Sequence, residues 1–167
     1  MKCVIIGGSG HFEYALSSKN AGLICAYAKG SDDEDISRLS NLLSADIEFY
    51  DNYLLMLDEV RPDIAILNPH YYLNGELVLN CLKLGINVFC EKPLAFNPSI
   101  SDAIYGQLIK NQLHLLTMQV HRYEPWFCTA FDQYKNGAIG DLLSLQGQKS
   151  YKMGLKPNWM QDKSRFG

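Results

Sequence analysis

Glu91, Lys92 and Pro93 directly follow an apolar run, Val88, Phe89 and Cys90, of the kind that fills the middle of a covered parallel sheet. A charged pair has no place inside such a sheet. It must stand at the strand's carboxyl end, where open α/β sheets gather their ligands. Pro93 has no N–H and drives Lys92 away from helical backbone, so the ammonium sits on a stiff turn at the crevice. The Lys92–Pro93 bond is a candidate for the cis form. Read alone, the three residues also fit a Glu-Lys pair in a solvated turn.

A second stretch, Gly7, Gly8, Ser9, Gly10 and His11, lies between the apolar run Cys3, Val4, Ile5, Ile6 and a helical pattern expected to reach about Lys19. Strand, glycine loop and helix together form the arrangement whose backbone N–H groups cradle phosphates. The spacing departs from G-x-G-x-x-G. Counted from Gly8 the third position is Glu13, and counted from Gly7 the second and third are Ser9 and Phe12. The loop is open to two readings, a dinucleotide site or a plain tight turn. The next apolar run, 23–28, ends at Lys29, Gly30 and Ser31, where an acid usually takes the ribose hydroxyls of NAD. Lys29 and Ser31 suit a 2′-phosphate better, which tilts the expectation to NADP over NAD. Either a shifted loop brings Asp32 or Asp33 back to the ribose, or the acids from Asp32 to Asp35 cap the following helix.

The elements that must position these residues alternate in type. Strands are expected at 3–6, 23–28, 47–50, 63–67, 88–90 and 113–120, with helices between them. Asn74 opens a helix stopped by Gly85, and Asn97 caps one begun by Pro98 with Ile100, Ile104 and Leu108 on one face. Crossovers too long for hairpins argue for an α/β fold with a doubly wound parallel sheet. After His121 the pattern changes. A helix begins at Pro125 and carries Trp126, Phe127 and Phe131. Residues 141–151 then alternate Leu143 and Leu145 with polar neighbours at a half-buried strand's period.

Composition excludes several classes. A net charge of −3 with no basic run leaves no phosphate-tracking surface, so nucleic acid is not an expected partner. No apolar run approaches the ~20 residues of a membrane span. The first residues do not form a secretory signal, and a cytoplasmic protein is expected. The five cysteines are widely spaced and lack metal-ligand spacing, so they read as reduced thiols and no metal is expected. Of the histidines, His11 faces either a phosphate or solvent, and His70 follows the fourth strand. His114 starts the sixth strand, and His121 lies at its carboxyl end, toward a substrate cleft.

These pieces, in this order, resemble the Gfo/Idh/MocA group of NAD(P)-dependent oxidoreductases. The resemblance rests on the glycine loop from Gly7 to Gly10 and the Tyr50, Asp51, Asn52, Tyr53 turn. It also rests on Asp63 through Asn68 and Pro69, Gly85 through Glu91, Lys92 and Pro93, the segment from Arg122 to Pro125, and the segment from Asn136 to Gly140. It implies a dinucleotide-binding Rossmann domain over 1–121 and the start of an α/β substrate and oligomerisation domain over 122–167. It implies hydride transfer between NAD or NADP and a sugar, cyclitol or related polyol. Lys92 would stabilise an alkoxide beside the nicotinamide, desolvated and oriented by Glu91, with His121 as a further catalytic candidate. Asn68 and Pro69 would border the nicotinamide. Relatives continue past the position of Gly167 into more of the substrate sheet. The chain alone is therefore expected to be inactive and its edge strand to pair with another copy, as a homo-oligomer. The alternative is a non-catalytic nucleotide-binding or interaction module.

Overall fold

A computed structural model describes residues 1–17, 23–152 and 154–166. The elements run β1 (Cys3–Ile6), α1 (Glu13–Leu16), β2 (Ile24–Ala28), α2 (Ser37–Ser40), β3 (Glu48–Tyr50), α3 (Tyr53–Val60), β4 (Ile64–Leu67), α4 (Asn74–Lys83), β5 (Asn87–Cys90), α5 (Pro98–Asn111) and β6 (Leu115–Thr117). The strands form one sheet in the order β3-β2-β1-β4-β5-β6, and every neighbouring pair is parallel. This is the expected doubly wound α/β fold, with its switch point between β1 and β4.

Strand periodicity divides the core into two layers. Val4 and Ile6 of β1 point to one face, with Ala26, Ala65, Leu67, Val88 and Cys90, against Met56 and Leu57 of α3, Leu77 and Cys81 of α4 and Ile104 of α5. Cys3 and Ile5 point to the other face and pack with Ile24, Ile66, Phe12 and Leu39. Two helix starts are fixed locally. Asn52 Oδ1 accepts the Leu54 N–H at 2.8 Å, and Asn97 Oδ1 accepts the Ser99 N–H at 2.9 Å, each cap contributing about 1 kcal/mol.

The strand register levels the carboxyl ends. Ile6 lies opposite Ala28 on one side and Leu67 on the other, and Leu67 lies opposite Cys90. Gly7, Lys29, Asn68 and Glu91 are therefore each the first residue beyond neighbouring strands, along one edge of the sheet.

Several elements differ from expectation. The expected end of α1 near Lys19 lies outside the described residues. β6 ends at Thr117, short of Val120, which instead opens a single 3-10 turn, Val120–Tyr123. Residues 141–151 form no strand. Alternation yields a strand only where a neighbour takes up the backbone N–H and C=O groups, and here Leu143 and Leu145 are 95% and 86% exposed. Cys3, Cys81 and Cys90 are buried thiols as expected, whereas Cys25 and Cys128 are exposed.

The chain divides into two compact units, Met1–Met118 with Asn158–Gly167, and Gln119–Pro157. The segment from Asn158 thus groups with the sheet-bearing unit, where Trp159 stacks on His70 and Arg165 pairs with Asp33. The second unit carries α6 (Pro125–Lys135), and none of its described residues is buried. The last described helix is α7 (Lys163–Phe166). No described helix is long and apolar enough to cross a membrane.

Candidate functional site

The glycine loop leaves β1 pressed against the ends of β4 and β5. Gly7 has φ +85°, and a Cβ there would stand 2.5 Å from the Pro69 Cα. A Cβ on Gly10 would stand 2.5 Å from Asn68 Oδ1 and 2.8 Å from Glu91 Oε2. These two glycines are required by the approach of loop to strand ends, independently of any phosphate. The Ser9 N–H donates to the Asn68 carbonyl at 2.8 Å, and the His11 N–H to Glu91 Oε2 at 2.9 Å. The His11 ring nitrogen Nδ1 also meets Glu91 Oε2. Glu13, the acid standing in the third glycine position, turns away and pairs with Arg38, whose guanidinium lies 5.0 Å from the Phe12 ring centre.

Glu34, which the sequence offers only as one of several acids capping the next helix, lies at this loop instead. It is buried at 4% exposure, and Oε1 accepts the Gly8 N–H at 3.0 Å and the Ser9 hydroxyl at 2.6 Å. Oε2 accepts the Gly30 N–H at 2.8 Å. Asp35, just before the N-cap Ile36 of α2, takes the Ser37 N–H at 2.9 Å. Lys29 and Ser31 are engaged within the protein. The Lys29 ammonium lies 3.6 Å from Asp51, and the Ser31 hydroxyl donates to Asp33 at 3.0 Å.

The charged turn after β5 is held from two directions. Its Lys92–Pro93 bond is cis. The Asn74 amide, at the start of α4, donates to the Glu91 carbonyl at 2.9 Å and to the Pro93 carbonyl at 2.8 Å. Glu91 is fully buried and does not reach the Lys92 ammonium as an ion-pair partner. Its Oε1 accepts the Lys92 main-chain N–H at 2.8 Å, while Oε2 serves the glycine loop. The Lys92 side chain is exposed, so the desolvation implied by resemblance is absent, and its Nζ lies 5.0 Å from the Tyr71 ring centre. An ammonium over an aromatic face is favoured by roughly 0.5–1 kcal/mol where exposed.

A third group of contacts was illegible in sequence. His70 is buried, stacks on Trp159 at 4.6 Å between ring centres, and has its Nδ1 4.0 Å from Asp33. Burial pushes its imidazole below the ordinary value, and the nearby carboxylates of Glu34 and Asp33 oppose that shift. Tyr71 meets Trp159 edge-on at 5.1 Å, and Arg165 pairs with Asp33 and covers the Tyr72 ring. The Arg165 guanidinium holds the Asp33 carboxyl below its usual range. Asn68 is fully buried, and neither atom of its side-chain amide has a partner. His121 belongs to the second unit, where its Nε2 lies 2.8 Å from the Lys149 ammonium. His114 is exposed. Among the described residues no three His, Cys, Asp or Glu side chains converge on a metal position.

A parallel sheet in this order, with a glycine loop after its first strand and an anchored charged turn after its fifth, defines the Rossmann class of dinucleotide-binding folds. The chain belongs to the Gfo/Idh/MocA family: residues 1–118 match the family described as oxidoreductase family, NAD-binding Rossmann fold. It is 31% identical over 114 residues to levoglucosan dehydrogenase of Pseudarthrobacter phenanthrenivorans, an alignment covering 64% of this chain and 29% of that protein. It is 28% identical over 85 residues to myo-inositol 2-dehydrogenase of Thermotoga maritima, covering 51% of this chain and 25% of that one. The solved structure of a candidate oxidoreductase from Thermotoga maritima superposes with a TM-score of 0.93 at 33% identity, covering 99% of this chain and 53% of that one. The chain thus spans about half the length of that solved relative and less than a third of the two curated ones.

Proposed function

We propose that this chain is the dinucleotide-binding part of an oxidoreductase that moves hydride between NAD or NADP and the carbinol carbon of a sugar, cyclitol or related polyol. The polyol class is supported by the activities named for the two curated relatives. The observation that carries the reading is Lys92. It stands at the carboxyl edge beyond the β1/β4 switch point, on a turn whose carbonyls are held by Asn74 and whose N–H is held by Glu91. Among the described residues its ammonium has no ion-pair partner, so its charge is available to a substrate oxygen.

The residues fit a nicotinamide dinucleotide in one specific respect. The amide of Asn68, the first residue beyond β4 and fully buried against Gly10, has no protein partner, which leaves it donors and acceptors to offer a bound ligand. When bound, the dinucleotide supplies the hydride acceptor. In the reducing direction the Lys92 ammonium stabilises the negative charge that grows on the carbonyl oxygen as hydride arrives, and gives that oxygen a proton. In the oxidising direction the neutral amine takes the hydroxyl proton as hydride leaves the carbon. Glu91 acts as a positioning residue through the backbone. His121 is not required by this reading, which rests on Lys92.

A second reading, a non-catalytic interaction module, is favoured by one observation: the N–H groups of Gly8, Ser9 and His11 already have protein acceptors. Titration of the purified protein with NADH and NADPH separates the two. Binding of at least one nucleotide is expected, and Lys92→Met should keep that affinity; in a complete version of the enzyme the same substitution should lower polyol turnover about 100-fold or more. Binding of neither nucleotide would favour the module.

A further inference from the structure

We infer that Cys3 and Cys25 form a peroxide-responsive thiol pair, in which a hydroperoxide oxidises the exposed Cys25 and the buried Cys3 then closes a reversible disulfide with it. The pair lies near the amino ends of β1 and β2, at the opposite edge of the sheet from the Lys92 turn.

Strand register places the two cysteines together. Cys3 lies opposite Ile24, whereas the next residue of β1, Val4, lies opposite Ala26, so Cys25 is an extra residue inserted in β2 beside Cys3. Alternation gives its face. Ala26 and Ala28 pack in the layer of Val4 and Ile6, and Tyr27 packs in the other layer, with Cys3 and Ile5. Cys25, one residue before Ala26, therefore shares the face of Tyr27 and Cys3. Strands about 4.8 Å apart and a rise of about 3.3 Å per residue put the two Cα atoms roughly 6 Å apart, inside the range of about 4.4–6.8 Å that a disulfide spans. The Cys25 thiol turns toward β1 and donates to the Cys3 carbonyl at 3.4 Å.

Burial divides the chemistry between the two thiols. Cys25 is exposed, so a peroxide reaches its sulfur, while Cys3 is only 7% exposed. Burial pushes the Cys3 thiol above its ordinary value, and the neighbouring Cys25 sulfur adds to that shift. The Cys25 sulfur attacks the peroxide and the O–O bond breaks. Cys25 becomes a sulfenic acid, and its thiol proton leaves with the other oxygen as water or an alcohol. The Cys3 sulfur then attacks the Cys25 sulfur. The S–S bond forms, the S–O bond breaks, and the departing hydroxide takes the Cys3 proton as water. Two thiols have given two electrons to one peroxide. Added thiol restores both cysteines by exchange. Disulfide closure also stops Cys25 short of the irreversible sulfinic acid. Cys81 and Cys90 are fully buried, out of an oxidant's reach, and Cys128 belongs to the second unit.

The test is differential alkylation and peptide mapping of the folded full chain after treatment with hydrogen peroxide, in a Cys128→Ser background that removes the other exposed thiol. A peptide joining Cys3 to Cys25 is expected, and dithiothreitol should abolish it. In Cys3→Ser, Cys25 should instead carry a sulfenic acid that dimedone traps, or a sulfinic acid. Should serine at the buried position fail to fold, Cys25→Ser, at the exposed one, carries the comparison, and the same dose should leave its Cys3 a free thiol. Recovery of Cys25 as sulfinic acid with Cys3 still free in the Cys128→Ser protein overturns the inference. So does a Cys25 left unoxidised there, or a Cys3 oxidised in Cys25→Ser.

Discussion

The Glu91 carboxylate and the His11 main-chain N–H, 80 residues apart in sequence, meet at 2.9 Å. The same carboxylate accepts the N–H of Lys92, so one buried anion ties the glycine loop to the turn that presents the ammonium. Glu91→Ala would strand both donors and open a void at a fully buried position. A loss of about 2–4 kcal/mol in unfolding free energy is expected, from orphaned donors at about 1–3 kcal/mol each and partial relaxation. Urea denaturation measures it. A coupling energy near zero in a Glu91→Ala, His11→Ala double-mutant cycle would show that the His11 ring contact with Glu91 adds nothing to this link.

The segment from Asn158 should respond to pH through His70. Burial holds this imidazole below its ordinary value of 6.5, so the folded state binds the proton less readily than the unfolded state. The contribution to stability is then fully present above that value and is lost as pH falls from it through the lowered folded value. The groups facing the ring are Glu34, Asp33 and Arg165, with Trp159 stacked on it. Asp33 is held below its ordinary 3.8 by Arg165 and then by Ser31, so it acts in the same direction in a separate, more acidic window. In a Trp126→Phe background, Trp159 emission and the melting temperature should both fall as pH drops below about 6.5, and His70→Asn should flatten the trend. An equal slope in the variant would exclude His70 as the cause.

Gly7, Lys29, Asn68, Glu91 and Lys92 were legible because apolar runs locate strand ends, and a parallel sheet levels those ends. Their partners were not legible. Glu34 looked like a helix cap because three other acids surround it, and only the three-dimensional path of the loop brings its carboxylate to Gly8. Trp159 sits in a stretch with no periodicity, and its contact with His70 spans 89 positions that no local pattern encodes. Leu143 and Leu145 show the opposite failure. Alternation was present, but a strand also needs a neighbour.

Two glycines should answer an added methyl in opposite directions. A Cβ on Gly10 collides with Asn68 Oδ1 at 2.5 Å and Glu91 Oε2 at 2.8 Å, whereas one on Gly106, inside α5, meets nothing within 4 Å. Gly10→Ala should cost about 1–3 kcal/mol through forced displacement of buried groups. Gly106→Ala should add about 0.5–1 kcal/mol by reducing the freedom of the unfolded chain. Denaturation midpoints of the two single variants decide it, and a neutral Gly10→Ala would mean the loop is not held against the strand ends.

Copies of the chain should associate through the second unit. On α6, Trp126 and Phe131 are exposed at 63% and 51%, and Phe127 stacks on Phe131 with ring centres 6.4 Å apart. Leu143 and Leu145 stand out from the extended stretch that follows, with backbone groups that belong to no ladder among the described residues. Apolar side chains beside unpaired backbone make a template for another copy, because pairing satisfies the backbone groups while covering the leucines. A stable association of this kind needs about 1,000 Å² of buried surface, which requires both features and not the helix alone. Light scattering across a concentration series should show mass rising above 18.9 kDa. Leu143→Asp combined with Leu145→Asp should bring it back to the single chain without lowering the melting temperature of the sheet-bearing unit. A wild-type protein that stays at one chain's mass across the series would exclude the association, and an associated double variant would move it away from the leucines.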